Sequence, residues 1–557
     1  MPALNFTLEL LSDAEPSTGF GTEMVNSLVP RNFEGCPIIP ATHLKGLMRE
    51  NLLLIAENLD QPDLRKLILR VFGKPGGIDE GTASLLNVSD AIAPLYTKVL
   101  TVTRTSLNEH GTAEDTSLRT TECIAIGTKF KGQINLLKKP ESVLQLIVQL
   151  GLLSISAIGS SRNRGCGECK VNIDGLTDGP GATLKRLIAL PLKENLPLIA
   201  EPIKINISGN ANEFKILKLT FTANGPTCLP ETPIVGNNTI KTGFACQASA
   251  VQGMILHKIN NYLPHLATAC FENPHFRVWP LLPTILNSIA IPVRASATHR
   301  ISKLEDASGK YTFADDTIEN YDWKNQKSPL KVADGVLQAM NGGGVQLWRA
   351  ADMTHLFSAH GVHHDQEGEN GDGRNLFTVE ALAPMTFSGL VSLPTDAASA
   401  LVEILKQDNF VQLGKARSIR GGGTLKAEIV KLEEVISQSN LGSNFKNRAF
   451  IVQSPILVPD EIKVKDAKTV INTIVNNSGW GEVEYSSGNI NVLFGWNRHN
   501  KGNSIKGLLK AKRVIMPGSI FLLKKPVDDL QNKLVLGLGD GKTQGFGAVL
   551  PHPGVAS

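Results

Sequence analysis

The chain has 557 residues, of which 42% are hydrophobic and 19% are charged, and its net charge is only +4. This length exceeds what a single hydrophobic core supports, so about two to four domains are expected. The small net charge restricts any nucleic-acid surface to local patches. The 7 scattered cysteines favour reduced thiols in the cytoplasm over a disulfide framework. The lack of about 18 consecutive apolar residues argues against a membrane span.

The N-terminal part begins with a strand pattern and continues with a capped helix. Residues 4–11 alternate apolar and polar side chains, as a half-buried strand does. Residues 37–49 read PIIPATHLKGLMR, where Pro40 excludes a helix upstream and Thr42 is the predicted N-cap. Two basic side chains four residues apart share one face of this helix, namely Lys45 and Arg49.

A polar hairpin and a second strand–helix–strand series follow. The hairpin is predicted over 101–122 and contains Arg104; after it come a strand at 127–137, a helix at 141–158 and a strand at 170–173. This order of elements fits a split βαβ domain that ends near residue 178.

The remaining sequence repeats the same order of elements. Residues 179–202 contain several prolines and are the predicted linker, and a second domain is expected over 203–435. Within it, 304–375 is polar and is interpreted as an insertion or lid. Residues 436–557 form the C-terminal portion.

Three glycine-rich turns precede predicted strands, at 158–167, 413–423 and 538–547. Glycine permits positive φ and a close approach of backbones, and free amides beside cations form an anion site suited to phosphates. Three such turns in one chain indicate duplicated domains. The basic side chains that these turns carry are Arg162, Arg164, Lys415, Arg417, Arg420 and Lys542.

The motif at 37–49, together with the turn at 158–167, resembles the repeat-associated (RAMP) proteins of CRISPR complexes, whose motif reads roughly Ile-Pro-Gly-Ser-Ser-Leu-Lys-Gly-x-x-Arg. Here Ala41, Thr42 and His43 replace Gly-Ser-Ser. Residues 1–178 resemble a type III backbone subunit, with the hairpin in the place of its thumb. Residues 203–557 are similar to the cap-type subunit that holds the 5′ tag of the guide in subtype D systems, and the sequence FRVWP at 276–280 is part of that similarity.

This resemblance implies an α+β fold of tandem ferredoxin-like (RRM-like, split βαβ) RAMP domains with polar insertions. It also implies binding of a guide RNA (crRNA) and recognition of a complementary target RNA. The implied protein partners are other type III effector subunits, including the large polymerase-type subunit and further backbone subunits, with no membrane involved. The residues expected to contact RNA are His43, Lys45, Arg49, Arg104, Arg162, Arg164, Lys415, Arg417, Arg420 and Lys542.

One position bears on catalysis. Type III backbone subunits cut target RNA with an aspartate and a metal ion, and in this chain Asn26 occupies the place of that aspartate. An amide lacks the negative charge that holds Mg²⁺ or activates water. The subunit is therefore either naturally without cleavage or an engineered Asp-to-Asn form, and Mg²⁺ or a similar ion is expected only for the cleaving form.

Other interpretations use the same residues. His43 as a general base suggests a metal-independent endonuclease that processes the guide precursor, and a third alternative is a purely structural subunit that binds crRNA. Cys166 and Cys169 have CxxC spacing but no second pair, whereas zinc takes about four ligands. The histidines at 355–364 lie in a polar stretch that is interpreted as a solvated loop. No resident metal site is predicted.

Overall fold

The structure is a computed structural model. It describes residues 3–18, 21–32, 34–73, 84–114, 116–136, 142–192, 213–230, 239–285, 290–296, 298–302, 313–315, 330–332, 334–339, 345–363, 374–414, 420–436, 445–462, 466–493, 496–497, 507–508, 511–541 and 545–553. Helices and several antiparallel sheets alternate along these residues, which confirms the predicted α+β class. In the same residues, no helix is both long enough and apolar enough to cross a membrane.

The first repeat (residues 4–188) has a six-stranded sheet in the order β2-β4-β7-β1-β8, with β3 also paired to β7. Its elements are β1 (Leu4–Leu10), β2 (Ile38–Ile39), α1 (Ala41–Asn58), α2 (Pro62–Phe72), β3 (Leu86–Val88), β4 (Ala91–Ile92), β5 (Val99–Arg104), β6 (Arg119–Ile124), β7 (Lys129–Leu136), α3 (Ser142–Leu153), a 3-10 turn (Arg162–Arg164), β8 (Cys169–Ile173) and α4 (Pro180–Ile188). In β1, Phe6, Leu8 and Leu10 are buried, because alternate side chains of a strand point to the same face.

The second repeat (residues 214–435) has a sheet in the order β11-β21-β9-β23-β22, with β12 also on β21. Its elements are β9 (Phe214–Ala223), β10 (Thr239–Ile240), α5 (Ala248–Asn260), α6 (Pro264–Glu272), β11 (Arg277–Val278), β12 (Leu282–Pro283), β13 (Val293–Arg294), β14 (His299–Ser302), β15 (Phe313–Asp315), β16 (Leu330–Val332), β17 (Gly335–Ala339), β18 (Val345–Arg349), a 3-10 turn (Ala350–Asp352), β19 (His355–His363), β20 (Arg374–Leu382), β21 (Thr386–Pro394), α7 (Thr395–Gln407), β22 (Phe410–Gln412), β23 (Gly422–Ile429) and α8 (Leu432–Val435).

The third repeat (residues 449–551) has a sheet in the order β26-β31-β24-β32. Its elements are β24 (Ala449–Val452), β25 (Ile456–Leu457), α9 (Ala467–Asn477), β26 (Val483–Ser487), β27 (Ile490–Leu493), β28 (Trp496–Asn497), β29 (Gly507–Leu508), β30 (Lys512–Ile515), β31 (Ile520–Leu523), α10 (Leu530–Leu536) and β32 (Val549–Pro551).

The three repeats share one plan. Each runs strand, helix, strand, strand, helix, strand, and the sheet places these strands in the order second, third, first, fourth with antiparallel neighbours. The first strand therefore lies between the third and the fourth, as β1 lies between β7 and β8. Most of the additional strands lie between the second and third strands of this plan, whereas β2, β10, β22 and β25 lie elsewhere. In the first repeat these include the hairpin β5–β6, which extends two residues beyond the predicted 101–122 region at each end.

Several boundaries differ from the sequence-based expectations. Helix α1 begins at Ala41, with Pro40 rather than Thr42 at the N-cap, because the Asp90 carboxylate accepts the Ala41 amide at 2.7 Å. Helix α3 ends at Leu153 instead of continuing to 158. Beyond that point the Ser154 carbonyl accepts a hydrogen bond from the side-chain amide of Asn51 at 2.8 Å. The following residues lead into the glycine turn at 158–167.

Two segments contain more regular structure than their composition indicated. The predicted linker at 179–202 includes α4, whose Thr183 and Leu187 are buried, and α4 packs on α3. The predicted insertion at 304–375 includes β17, all five residues of which are buried. The prolines of the first segment and the polarity of the second were misleading, because each segment contains a short element that buries only a few side chains.

The second and third repeats are joined by buried side chains of β11 and the segment after it. The Arg277 guanidinium donates hydrogen bonds to the carbonyls of Val535 (2.9 Å), Leu536 (2.6 Å) and Phe546. The Trp279 indole N–H donates to a carbonyl of β32 at 2.9 Å. Trp279 belongs to the core of the third repeat, so these two repeats share part of their interior.

Candidate nucleic-acid interface

The first glycine turn (158–167) is closed by two backbone hydrogen bonds. The Ile158 amide donates to the Gly167 carbonyl at 2.9 Å, and the Gly167 amide donates to the Asp13 carbonyl at 2.7 Å. Gly167 has φ +75°, and a Cβ there would overlap the Ile158 carbonyl oxygen. Glycine is required here by both conformation and space.

The second and third turns (413–423 and 538–547) close in the same way. The Leu413 amide donates to the Gly421 carbonyl at 2.9 Å, and the Leu538 amide donates to the Gly547 carbonyl at 3.0 Å. The amides of these two glycines donate in turn to the carbonyls of Pro226 at 3.0 Å and Pro455 at 2.9 Å. A Cβ at either glycine would overlap the first carbonyl of its own turn. The three turns are therefore structural equivalents, each one preceding the fourth strand of its repeat.

Two cations project from the first turn. Residues 162–164 form a 3-10 turn that follows Ser161 in the left-handed region at φ +59°. The Arg164 amide donates to the Ser161 carbonyl at 2.9 Å, which fixes the backbone under both arginines. Arg162 and Arg164 are exposed, so their guanidiniums are available to an anion from solvent.

His43 attaches the start of α1 to this turn. Its Nε2 accepts a hydrogen bond from the Gly159 amide at 3.0 Å. Burial, followed by the nearby charge of Arg162, lowers the pKa of His43. The imidazole is therefore a neutral acceptor that is engaged in structure, which leaves this nitrogen no free lone pair for a general base.

Lys45 and Arg49 lie on a different side of α1 from His43. At about 100° per residue, Lys45 is about 200° and Arg49 about 240° around the helix from His43. Burial, with a smaller contribution from Arg49, lowers the pKa of Lys45 to about 8. The structure thus joins His43 to the first turn, and it groups Lys45 with Arg49 as a separate basic pair.

Glu15 connects the first turn to the hairpin β5–β6. It is only 5% exposed. Its carboxylate accepts the hydroxyl of Ser161 at 3.2 Å, and it forms an ion pair with Arg104 at the end of β5. The bond to Glu15 raises the pKa of Arg104. The guanidinium of Arg104, which was expected to contact RNA, is thus paired within the protein.

The segment that contains Asn26 runs along β6. The Asn26 amide donates to the Thr120 carbonyl at 2.8 Å, and its side-chain oxygen accepts the Thr120 amide at 2.7 Å. Farther along, Glu122 accepts the Val29 amide at 2.9 Å and pairs with Arg31 at 3.2 Å. Asn26 itself is exposed, and its partner Thr120 pairs with Thr103 near the loop end of the hairpin.

The residues around Asn26 do not fit a metal ion. Its side-chain oxygen is held by Thr120, and Glu122 is engaged with Arg31. Across the described ranges, no group of three or more His, Cys, Asp or Glu side chains is placed to hold a metal ion. No chemical step through a metal is therefore assigned to the chain in its present form.

In the second turn, Arg420 lies near a carboxyl group of the first repeat. Burial lowers its pKa, while Cys228 and Asp90 act in the opposite direction. Burial also raises the pKa of Asp90, against the effects of the Ala41 amide and Arg420. Arg420 therefore takes part in the contact between the first two repeats. The other predicted cations of these turns, Lys415, Arg417 and Lys542, lie outside the described residues.

The other candidate ligands are placed as follows. Cys169 is buried, which raises the pKa of its thiol to about 12, and Cys166 lies 3.8 Å from an Arg104 nitrogen. His355 contacts Glu380 at 2.7 Å. Sequence reasoning missed Glu15 and Asp90, because an isolated acid after a strand forms no pattern and gains its meaning only from distant partners.

Residues 7–170 match the family model of the RAMP superfamily, a match that spans most of the first repeat. A chain from the cryo-EM structure of a type III-B Cmr-beta complex in the apo state is similar at 16% identity, with a TM-score of 0.25. That similarity covers 31% of this chain and 97% of the other. No match was found among curated proteins.

Proposed function

We propose, from the similarity of residues 7–170 to the RAMP superfamily, that the chain is a guide-RNA-binding subunit of a type III CRISPR ribonucleoprotein. The observation that carries this proposal is the first glycine turn, which is closed by two backbone hydrogen bonds and exposes Arg162 and Arg164 beside the hairpin β5–β6. A fixed backbone with outward guanidiniums suits phosphates of any sequence.

The proposal includes the fold type and the domain identities. The strand order second, third, first, fourth supports a tandem ferredoxin-like arrangement. The first repeat would act as the backbone-type domain, and the following two repeats would form a cap-type, subtype D-like portion that holds the 5′ tag. The proposed partners are crRNA, complementary target RNA and the other type III effector subunits, in the cytoplasm.

Target recognition then rests on base pairing rather than on this protein. The guide would pair with a complementary RNA while the protein holds the guide through its backbone. Among the alternatives, the guide-processing endonuclease is disfavoured because the Nε2 atom of His43 is bound to the Gly159 amide. The purely structural crRNA-binding subunit differs from the cleaving form at position 26.

Salt-dependent binding tests the proposal. The Arg162→Ala/Arg164→Ala variant should bind single-stranded guide RNA more weakly at all sequences. Its plot of log affinity against log salt should flatten by about 0.7 for each phosphate that the variant no longer neutralises. The matched control is Lys185→Ala/Arg186→Ala, which removes the same charge from the exposed face of α4. Equal slopes for wild type and the turn variant would refute the proposed interface.

A second proposal is that the chain cleaves target RNA when Asn26 is replaced by aspartate. An aspartate there would keep the contact with the Thr120 amide through one oxygen and add a charged oxygen of the kind that hard cations prefer. We expect the assembled complex with Asn26→Asp to cut a guide-complementary RNA at one site in the presence of Mg²⁺. Equal cutting by the Asn26 form, or no cutting by the Asp form, would remove position 26 from the catalytic role.

A further inference from the structure

We infer that Glu15 is a positioning residue that fixes the hairpin β5–β6 against the first glycine turn. The inference rests on the proposed function, because it names the contact that sets where the hairpin stands relative to Arg162 and Arg164.

Glu15 binds the turn through both its backbone and its side chain. Its carbonyl accepts the Ser160 amide at 3.0 Å. The Ser160 hydroxyl lies 3.1 Å from that carbonyl and 3.3 Å from the carboxylate, and the Ser161 hydroxyl lies 3.2 Å from the carboxylate. These neutral donors hold the carboxylate on the turn side.

The other carboxylate oxygen faces the hairpin. It pairs with Arg104, the last residue of β5, which stands opposite Arg119 in the hairpin. The second terminal nitrogen of Arg104 reaches Cys166 of the turn. One buried acid therefore receives donors from two elements that are far apart in sequence.

The other two repeats supply an internal comparison. A Cβ at the second residue of each turn (Gly159, Gly414 and Gly539) would meet one particular carbonyl, belonging to Glu15, Cys228 and Leu457 respectively. These three residues are structural equivalents, and only the first repeat has an acid there. The second and third turns lie against Cys228 and Leu457, and they are closed by the same two backbone hydrogen bonds as the first turn.

The carboxylate is therefore not needed to build a turn of this kind. Its distinguishing partner is Arg104, and Arg104 belongs to the hairpin that is inserted in the first repeat. A buried acid whose partner is removed leaves an uncompensated charge, so the pair strongly favours one placement of the hairpin. Glu15 thereby differs from residues that merely stabilise the fold.

Hydrogen exchange on the full chain without RNA tests the inference. In Glu15→Gln, the hairpin amides of 99–104 and 119–124 should exchange roughly tenfold faster, while the turn-closing amides of Ile158 and Gly167 keep their protection. Arg104→Gln should have the same effect, and the double variant should exchange no faster than Glu15→Gln alone.

The control is Asp178→Asn, which removes the ion pair with Arg186 in the same repeat and should leave hairpin exchange unchanged. Unchanged hairpin exchange in Glu15→Gln and Arg104→Gln would overturn the inference, and so would loss of protection at Gly167. If Glu15→Gln does not fold, Arg104→Gln decides, since the Arg104 side chain is 42% exposed. Because RNA is absent, the result is independent of whether the chain binds RNA.

Discussion

His43 links acidity to the stability of the first repeat. Its pKa is lowered in the folded chain from the ordinary 6.5, so the unfolded chain binds more protons at acidic pH. The stabilisation is therefore present above about pH 6.5 and lost as pH falls towards the folded pKa. Protonation also removes the acceptor that holds the Gly159 amide.

We expect His43→Gln to lose about 1 kcal/mol of unfolding free energy at pH 7.5 and less at pH 5.5. Urea unfolding at several pH values measures this difference. His110→Gln, on the exposed part of the hairpin, should follow wild type throughout. An equal loss at both pH values would show that protonation of His43 does not act on stability.

Lys45 has a pKa of about 8 because it is partly buried beside Arg49. A bound phosphate would favour the charged amine and return the pKa towards about 10.4. Guide-RNA affinity should then fall about tenfold between pH 7 and pH 9. Lys45→Arg should abolish this pH dependence, because arginine keeps its charge. If both proteins respond identically to pH, Lys45 does not contact the RNA.

Two glycines of the first turn allow a comparison within one loop. Gly165 and Gly167 both have positive φ, +77° and +75°, but a Cβ at Gly165 meets no atom within 4 Å, whereas at Gly167 it overlaps a carbonyl. Gly165→Ala should cost about 1–2 kcal/mol for the left-handed backbone alone. Gly167→Ala should cost clearly more, by chemical denaturation. Equal losses would mean that the turn relaxes around the added methyl group.

The same elements show what sequence could predict. The alternation in 4–11, the apolar spacing of α1 and the recurrence of glycine turns are local patterns, and the structure confirms each of them. The cap of α1 and the partner of Arg104 come from Asp90 and Glu15, which are 49 and 89 residues away. Such contacts depend on how the sheet brings segments together, and no local window contains them.

The orientation of α1 relative to the first glycine turn illustrates a second limit. Helical spacing correctly grouped Lys45 with Arg49, but which side of α1 faces the turn is set by packing against the sheet. Burial of Leu44, Met48 and other core residues fixes that rotation.

Between repeats, Arg277 is the buried side chain that we expect to couple the unfolding of the second and third repeats. It donates to three backbone carbonyls of the third repeat and is 1% exposed. Arg277→Met should destabilise the chain by about 3 kcal/mol or more, since buried acceptors lose their donors.

Calorimetry of Arg277→Met should show the third repeat unfolding in a separate, earlier transition. Arg349→Met, which removes the ion pair with Asp352 within the second repeat, should leave the transitions as in wild type. If the third repeat of the variant unfolds at a lower temperature but in the same transition as the second repeat, Arg277 is not the residue that couples the two repeats.

The contacts between repeats follow the order of the sequence. Gly422 at the second turn lies against Asn87 of the first repeat, and Gly545 of the third turn lies against Ser249 at the start of α5. In both cases the turn is synthesised after the residue that it contacts. During synthesis on the ribosome, each folded repeat would therefore provide the surface against which the glycine turn of the next repeat packs. We expect the repeats to assemble in the order in which they are synthesised.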